Sequence, residues 1–222
     1  MTNTRGDFAH LIRATTAGAW DGPWLDVDLR TTADLPDPDT LAGLVITGSA
    51  SSVTERSAWI VRGEEYLRRV VARGLPTLGI CFGHQLLGTA LGGDVERNPR
   101  GREIGTVDVR PITDDPLLAH ARPQAKMNMT HVDSVVRVPD SAIVIAETRL
   151  DPFAAVRFSE TTWGVQFHPE IDGDVMRQYV AARREAMARE RLDAEGIYQS
   201  AKDTPAGAHV LSRFVEIAVR AH

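Results

Sequence analysis

The feature that most restricts the fold is a bend. An apolar run, Leu75 to Ile80, passes through Gly79-Ile80-Cys81-Phe82-Gly83 straight into the amphipathic segment His84-Gln85-Leu86-Leu87-Gly88. A strand that turns at once into a helix has no room for side chains on the inside of the turn. Glycines on both sides of the central residue remove that conflict and leave its side chain on a strained, accessible backbone. The pattern therefore predicts a buried strand leading into a helix, the repeating unit of α/β folds. It also places Cys81 at a helix N-terminus, where the dipole and free N–H groups favour the thiolate over a thiol of ordinary pKa, roughly 8.5. Cys81 is the single cysteine of the chain, so it cannot form an internal disulfide. A lone cysteine is ordinarily inert core packing; the strand before it and the helix after it favour a nucleophile instead.

The rest of the chain fits the same frame. Phe8 to Arg13, after Gly6-Asp7, reads as a short helix, and the alternation of apolar and acidic residues from Trp24 to Leu29 reads as a strand. Leu44-Val45-Ile46, stopped by Gly48, suits a buried parallel strand ending in a loop. Ser57 can cap a helix whose Trp59, Gly63, Leu67, Val70 and Val71 share a face, with Gly74 at its end. Between Val95 and Phe167 the pattern becomes extended: Gly105 to Val109, Ala142 to Ile145 and Trp163 to Phe167 are separated by Pro and Asp turns. Helix returns after Asp172 and after Thr204-Pro205. The expectation is a mainly parallel central sheet with flanking helices and extra strands in the second half. With 222 residues, no internal repeat and no linker, residues 1–222 are expected to form one domain.

Charge and hydropathy narrow the partners. A net charge of -5 argues against nucleic acid, whose phosphates require a basic face. No apolar run approaches the ~18 residues that span a bilayer, and Met1 to Asp7 lacks the basic and apolar regions of a secretory signal. A cytoplasmic protein without a membrane or nucleic-acid partner is expected. Arg183, Arg184, Arg189 and Arg191 read first as a solvated helix surface, and Arg97 to Arg102 first as a hairpin-type turn.

A thiolate nucleophile needs a base, and the base an orienting acceptor. His168 follows the strand Trp163 to Phe167, at a strand end where open α/β sheets place their chemistry, and Glu170 can turn back to it. His131 and Asp133 have the same two-residue spacing and compete for the role on residues alone. His84 lies too near Cys81, on the helix that the bend starts. His10, His120, His209 and His222 have no such setting.

Gly79-Ile80-Cys81-Phe82-Gly83-His84-Gln85 and Phe167-His168-Pro169-Glu170 resemble the two signature motifs of the class I (triad) glutamine amidotransferases. Val45 to Val53 is similar to that family's oxyanion loop, and Thr130-His131-Val132-Asp133 to its glutamine-contacting loop. The resemblance implies a flavodoxin-like α/β fold and a Cys81-His168-Glu170 triad. It further implies an oxyanion hole from the backbone N–H groups of Phe82 and Ser49, and substrate-binding roles for Gly48, Gln85, His131 and Asp133. It points to free-standing members similar to the amidotransferase domain of GMP synthase, acting on glutamine or a γ-glutamyl amide and passing ammonia to a separate synthetase chain. No metal and no cofactor are expected for that half-reaction. A γ-glutamyl peptide hydrolase and a catalytically silent binding module of the same fold are the alternatives. Two departures stand out. The loop has Gly48-Ser49-Ala50 where the family usually has Gly-Gly-Pro. Family members also open with an apolar strand that Met1 to Arg5 cannot supply, so the usual first strand is expected to be missing and the natural product to begin upstream.

Overall fold

The computed structural model describes residues 7–221; the stretch from Met1 to Arg5, on which the expectation of a missing first strand falls, lies outside them. The first helix, α1 (Phe8–Thr16), starts where the Asp7 side chain accepts the His10 N–H at 3.0 Å, as a capping residue should. The strand expected from Trp24 to Leu29 is absent. Its alternation is real, but Leu25 and Val27 are 66% and 39% exposed, and no neighbouring strand takes their backbone. The segment instead runs irregularly over the surface. It is tied down by Arg13 pairing with Asp26, by Trp24 against the core and by Leu29 against α2 (Ala58–Ala72) at Gly63.

Among the described residues, seven strands form the main sheet. β1 (Leu44–Ile46) pairs in parallel with β2 (Thr77–Ile80), and β2 in parallel with β9 (Thr162–Val165). Beyond β9 the order continues through β8 (Ala155–Arg157), β7 (Ile143–Glu147), β4 (Glu103–Pro111) and β5 (Ala125–His131), every pairing antiparallel. β3 (Asp94–Arg97) and β6 (Asp133–Arg137) make a separate antiparallel ribbon. The α/β sheet with extra strands in the second half is present, but its parallel part is narrower than expected. Only β1 and β2 are joined by a helical crossover, α2, and β9 comes to β2 from far along the chain, whereas β7, β8 and β9 follow one another through short connections, which join antiparallel strands. The sheet also curls. The His168 N–H, just past β9, donates to the Asn128 carbonyl of β5 at 2.8 Å, although β9 and β5 stand four places apart in the order.

Side-chain alternation along β2 separates the faces. Leu78 and Ile80 enter a cluster with Trp163, Val165, Phe167 and the Leu211 and Phe214 of α7 (Pro205–Arg220). The opposite face, where Gly79 lies, is covered by α3 (Phe82–Ala90) and α2, whose Leu86, Leu87, Ile60 and Leu67 form a second cluster. Ser57 precedes α2 as expected, but its hydroxyl makes no capping bond. α4 (Gly173–Ala182) begins with Asp172 accepting the Val175 N–H at 2.8 Å and packs on β4 and β5. α5 (Arg184–Arg189) and α6 (Ala194–Ser200) follow it. Arg97 to Arg102 is a turn: Gly101, at φ 95°, donates to the Asn98 carbonyl, while Arg97 and Arg102 both reach Glu190.

Candidate active site

The bend forms as its glycines require. A Cβ on Gly79 would stand 2.5 Å from the Gly83 carbonyl, and one on Gly83 only 2.3 Å from the Ile46 oxygen, so strand and helix touch through bare backbone. Cys81 occupies φ 52°, ψ -101°, a region that costs a non-glycine residue on the order of 1–3 kcal/mol and persists only where its surroundings impose it. Those surroundings are the Cys81 N–H donated to Val165 of β9 at 2.8 Å and the Cys81 carbonyl accepting the Gln85 N–H at 3.1 Å. Cys81 remains 7% exposed. Phe82 is the first residue of α3, so its N–H is one of the four amides that a helix leaves without an internal partner.

His168 comes from the end of β9. Its Nδ1 meets Glu170 Oε1 at 2.7 Å, with both side chains almost wholly buried. The other ring nitrogen, Nε2, is buried and makes no hydrogen bond of ordinary length and angle. The Cys81 thiol is close enough to interact with it electrostatically. Catalytic contacts are often loose before substrate binds. The ring lies between aromatic neighbours, Phe8 at 5.7 Å and Tyr179 at 6.5 Å between centroids. Gly48 closes a third side, where a Cβ would fall 2.9 Å from His168 Cε1.

The charges in this group are coupled. Burial opposes an imidazolium at His168, but the Glu170 carboxylate and the Cys81 sulfur outweigh it and push the ring up to about 10. Burial likewise opposes the Cys81 thiolate, and the positive rings of His168 and His131 overcome it, so the thiol is lowered from its ordinary value. Opposite charges stabilise each other strongly where water is scarce. A thiolate–imidazolium pair is therefore the favoured state.

The structure places the other expected site residues around this pair, but not all as expected. Gln85, one turn into α3, gives its Nε2 to the Asp133 carbonyl at 2.8 Å and to Gln166 Oε1 at 3.0 Å. The Asp133 carboxylate takes the Ser52 hydroxyl rather than His131. The acidic partner of His131 is Glu103, whose Oε2 lies 3.2 Å from Nε2, while Nδ1 meets the Asp133 carbonyl at 3.0 Å. The rival His131–Asp133 pair thus does not form through its side chains. Ser49 is half-buried beside Gly48, its hydroxyl accepting the Ser51 N–H. His84 is fully buried against Gly164 and Phe158, and burial drives its pKa down to about 3, which leaves a neutral packing residue. Sequence reasoning missed Glu103, Phe8, Tyr179 and Asn128. Only hairpin register, which sets Glu103 opposite His131, could have signalled the first.

A curled α/β sheet with a cysteine at a strand-to-helix bend, facing a buried histidine–carboxylate pair from a neighbouring strand end, is the architecture of the class I glutamine amidotransferases. The chain belongs to that family: the family described as Glutamine amidotransferase class-I matches residues 24–184. It is homologous to part of proteins named GMP synthase [glutamine-hydrolyzing]. The Aeropyrum pernix relative is 38% identical over 170 residues, covering 75% of this chain and 31% of the relative. The Shewanella amazonensis relative is 36% identical over 138 residues, covering 58% and 25%. The chain thus spans about a third or less of the length of these relatives. Among solved structures, a glutamine amido transferase from Methylobacillus flagellatus superposes with a TM-score of 0.72 at 20% identity, covering 93% of this chain and 86% of that one. A glutamine amidotransferase from Thermotoga maritima gives 0.67 at 20% identity, covering 79% and 77%. Among the described residues, no helix is long and apolar enough to cross a membrane.

Proposed function

We propose that residues 1–222 form one glutaminase domain that hydrolyses the side-chain amide of glutamine with Cys81, His168 and Glu170, and passes ammonia to a separate synthetase chain in the cytoplasm. The observation that carries this reading is the buried Glu170–His168 contact of 2.7 Å beside a cysteine held at positive φ. The name of the relatives, GMP synthase [glutamine-hydrolyzing], supports glutamine as substrate.

In the proposed mechanism the Cys81 thiolate attacks the amide carbon of glutamine, and the oxygen that gains charge is held by the N–H groups of Phe82 and Ser49. Each such donor lowers the barrier by about 3 kcal/mol. The His168 imidazolium gives its proton to the departing nitrogen, so ammonia leaves and a γ-glutamyl thioester remains. Neutral His168 then takes a proton from water, the resulting hydroxide attacks the thioester, and glutamate departs as Cys81 returns to the thiolate. Glu170 keeps the Nε2 of His168 directed at the sulfur throughout. Gly48 leaves room for the His168 ring, and the segment from His131 to Asp133 walls the pocket. Gln85 and His131 act on that wall through the Asp133 carbonyl they share.

Glutamate release from glutamine, with Cys81→Ala as control, tests the reading. Turnover in the parent and loss in the variant are expected. Silence in the parent, or faster turnover of γ-glutamyl dipeptides than of glutamine, would displace it.

A further inference from the structure

His131 is more deeply enclosed than a substrate-contacting residue needs to be, with a side chain only 1% exposed. The hydrogens at its two ring nitrogens follow from their fixed acceptors. The Thr148 hydroxyl oxygen accepts the N–H groups of Leu150 and Asp151, so its own hydrogen goes to Glu103 Oε2 at 3.0 Å. That same carboxylate oxygen lies 3.2 Å from His131 Nε2 and must be met there by an N–H. At Nδ1 the partners are the Asp133 carbonyl, which can only accept, and Ser134 Oγ at 3.2 Å. Ser134 Oγ can give or take a hydrogen there, but the Asp133 carbonyl, 3.0 Å from Nδ1, calls for an N–H whichever way the serine turns. Both ring nitrogens therefore face acceptors, and a neutral imidazole would set a lone pair against one of them. The Asp133 carbonyl that receives His131 Nδ1 also receives Gln85 Nε2, and Gln85 is bonded to the Cys81 carbonyl. The ring is thus joined through one oxygen to the first turn of the nucleophile's helix.

We infer that His131 is a permanent imidazolium, fixed by Glu103 and the Asp133 carbonyl, and that its charge, second to that of His168, holds Cys81 as a thiolate. His131 and Glu103 are positioning residues; they touch no reacting atom. The groups facing the ring are Glu103 of β4, the Asp133 carbonyl and Ser134 of β6, Asp151 in the turn after β7, and Cys81 and His84 at the start of α3. Glu103, Asp151 and Cys81 are the acidic groups among these, and His84 is neutral. Burial opposes the charge on His131, yet Glu103, Asp151 and Cys81 raise it above the ordinary value. Keeping the positive charge in the protein rather than in the substrate leaves the nucleophile ready before glutamine arrives.

The inference builds on the proposed nucleophile, but its test needs no glutamine. In the full chain with 15N-labelled histidine, both His131 ring nitrogens should carry hydrogens at neutral pH; a neutral His131 there would overturn the inference without any variant. Alkylation of Cys81 by iodoacetamide, followed from about pH 5 to about pH 9, reads the thiolate directly because no other thiol is present. His131→Gln should raise the midpoint by about one pH unit, and Glu103→Gln should move it the same way. An unchanged midpoint in either variant, with thermal unfolding showing it folded, would overturn the inference. If His131→Gln does not fold, Glu103→Gln and the labelled parent decide. Absence of glutamate release would remove the glutaminase reading and leave these two readouts intact.

Discussion

Glu170 orients His168 through one oxygen only; Oε1 meets Nδ1, and Oε2 is buried without a hydrogen-bond partner. A carboxylate can accept only the Nδ1–H tautomer, which leaves Nε2 for the sulfur side. An amide in its place can present N–H to Nδ1 and reverse the tautomer. Glu170→Gln should therefore lower kcat for glutamate release by roughly a hundredfold or more while the chain stays folded. It should also move the alkaline limb of the kcat profile toward neutral pH, since the carboxylate is what keeps His168 charged up to about 10. An unmoved limb would show that another group holds the ring. His84 tests burial without catalysis. The unfolded chain protonates this ring near 6.5, the folded chain only at about 3. Its folded pKa is depressed, so its contribution to stability is complete above pH ~6.5 and is lost as pH falls toward 3. His84→Leu, which fills similar space against Gly164 and Phe158, should remove up to about 1.4 kcal/mol per pH unit of that acid slope. Urea unfolding of parent and variant between pH 7 and about pH 4 measures the difference.

Elements were legible where the signal was local. The bend at Cys81 carries its own proof in Gly79 and Gly83; α4 starts at the capping Asp172, and α7 starts at Thr204-Pro205 with proline in its first turn although Thr204 makes no capping bond. His168 with Glu170 needed two residues and a strand end. The reading failed where the cause lay elsewhere in the chain. Alternation from Trp24 to Leu29 is what a strand requires, but a strand also needs a neighbour, and nothing in the segment supplies one. Glu103 carries no local signal of its role, because only the β4–β5 register sets it opposite His131. The narrow parallel zone had the same origin: apolar runs reveal buried strands but not their direction. At Gly83, α3 lies against β1 through bare glycine backbone. Gly83→Ala would drive a methyl to 2.3 Å from the Ile46 oxygen and force helix and strand apart. A loss of about 2–4 kcal/mol in urea unfolding is expected, together with slower iodoacetamide labelling of Cys81 as the bend relaxes. Parent-like values of both would mean that the helix can slide without cost.

At the scale of the molecule, the site exists because the sheet curls until an inner strand, β9, comes near its far edge at β5. Cys81 is fixed to β9 through Val165, whereas His168 stands on the chain leaving β9 and has its own N–H held by β5. Asn128 of β5 is the clasp. It is fully buried; its Nδ2 donates to the carbonyls of Ile171 at 2.8 Å and Lys202 at 3.3 Å, and its Oδ1 accepts the Thr106 hydroxyl of β4 at 2.7 Å. One side chain thus joins two strands, the segment that carries His168 and Glu170, and the approach to α7. No other residue type supplies an acceptor and two donors in that volume: Leu supplies neither, and Asp would point a charge at two carbonyls. Asn128→Ala strands buried polar groups on both sides of the curl, and each such group costs about 1–3 kcal/mol. The variant should unfold at a lower urea concentration, with a loss of about 2–4 kcal/mol. Its effect on catalysis should be selective, because the bonds of this side chain reach the His168 segment and not Gly48 or the His131 to Asp133 segment. Loosening the His168 segment should lower kcat about tenfold while KM changes little, since a shift of an ångström in a catalytic group lowers turnover far more than ground-state binding. An equal loss in kcat and gain in KM would mean that the curl shapes the pocket as a whole and does not simply hold the histidine in place.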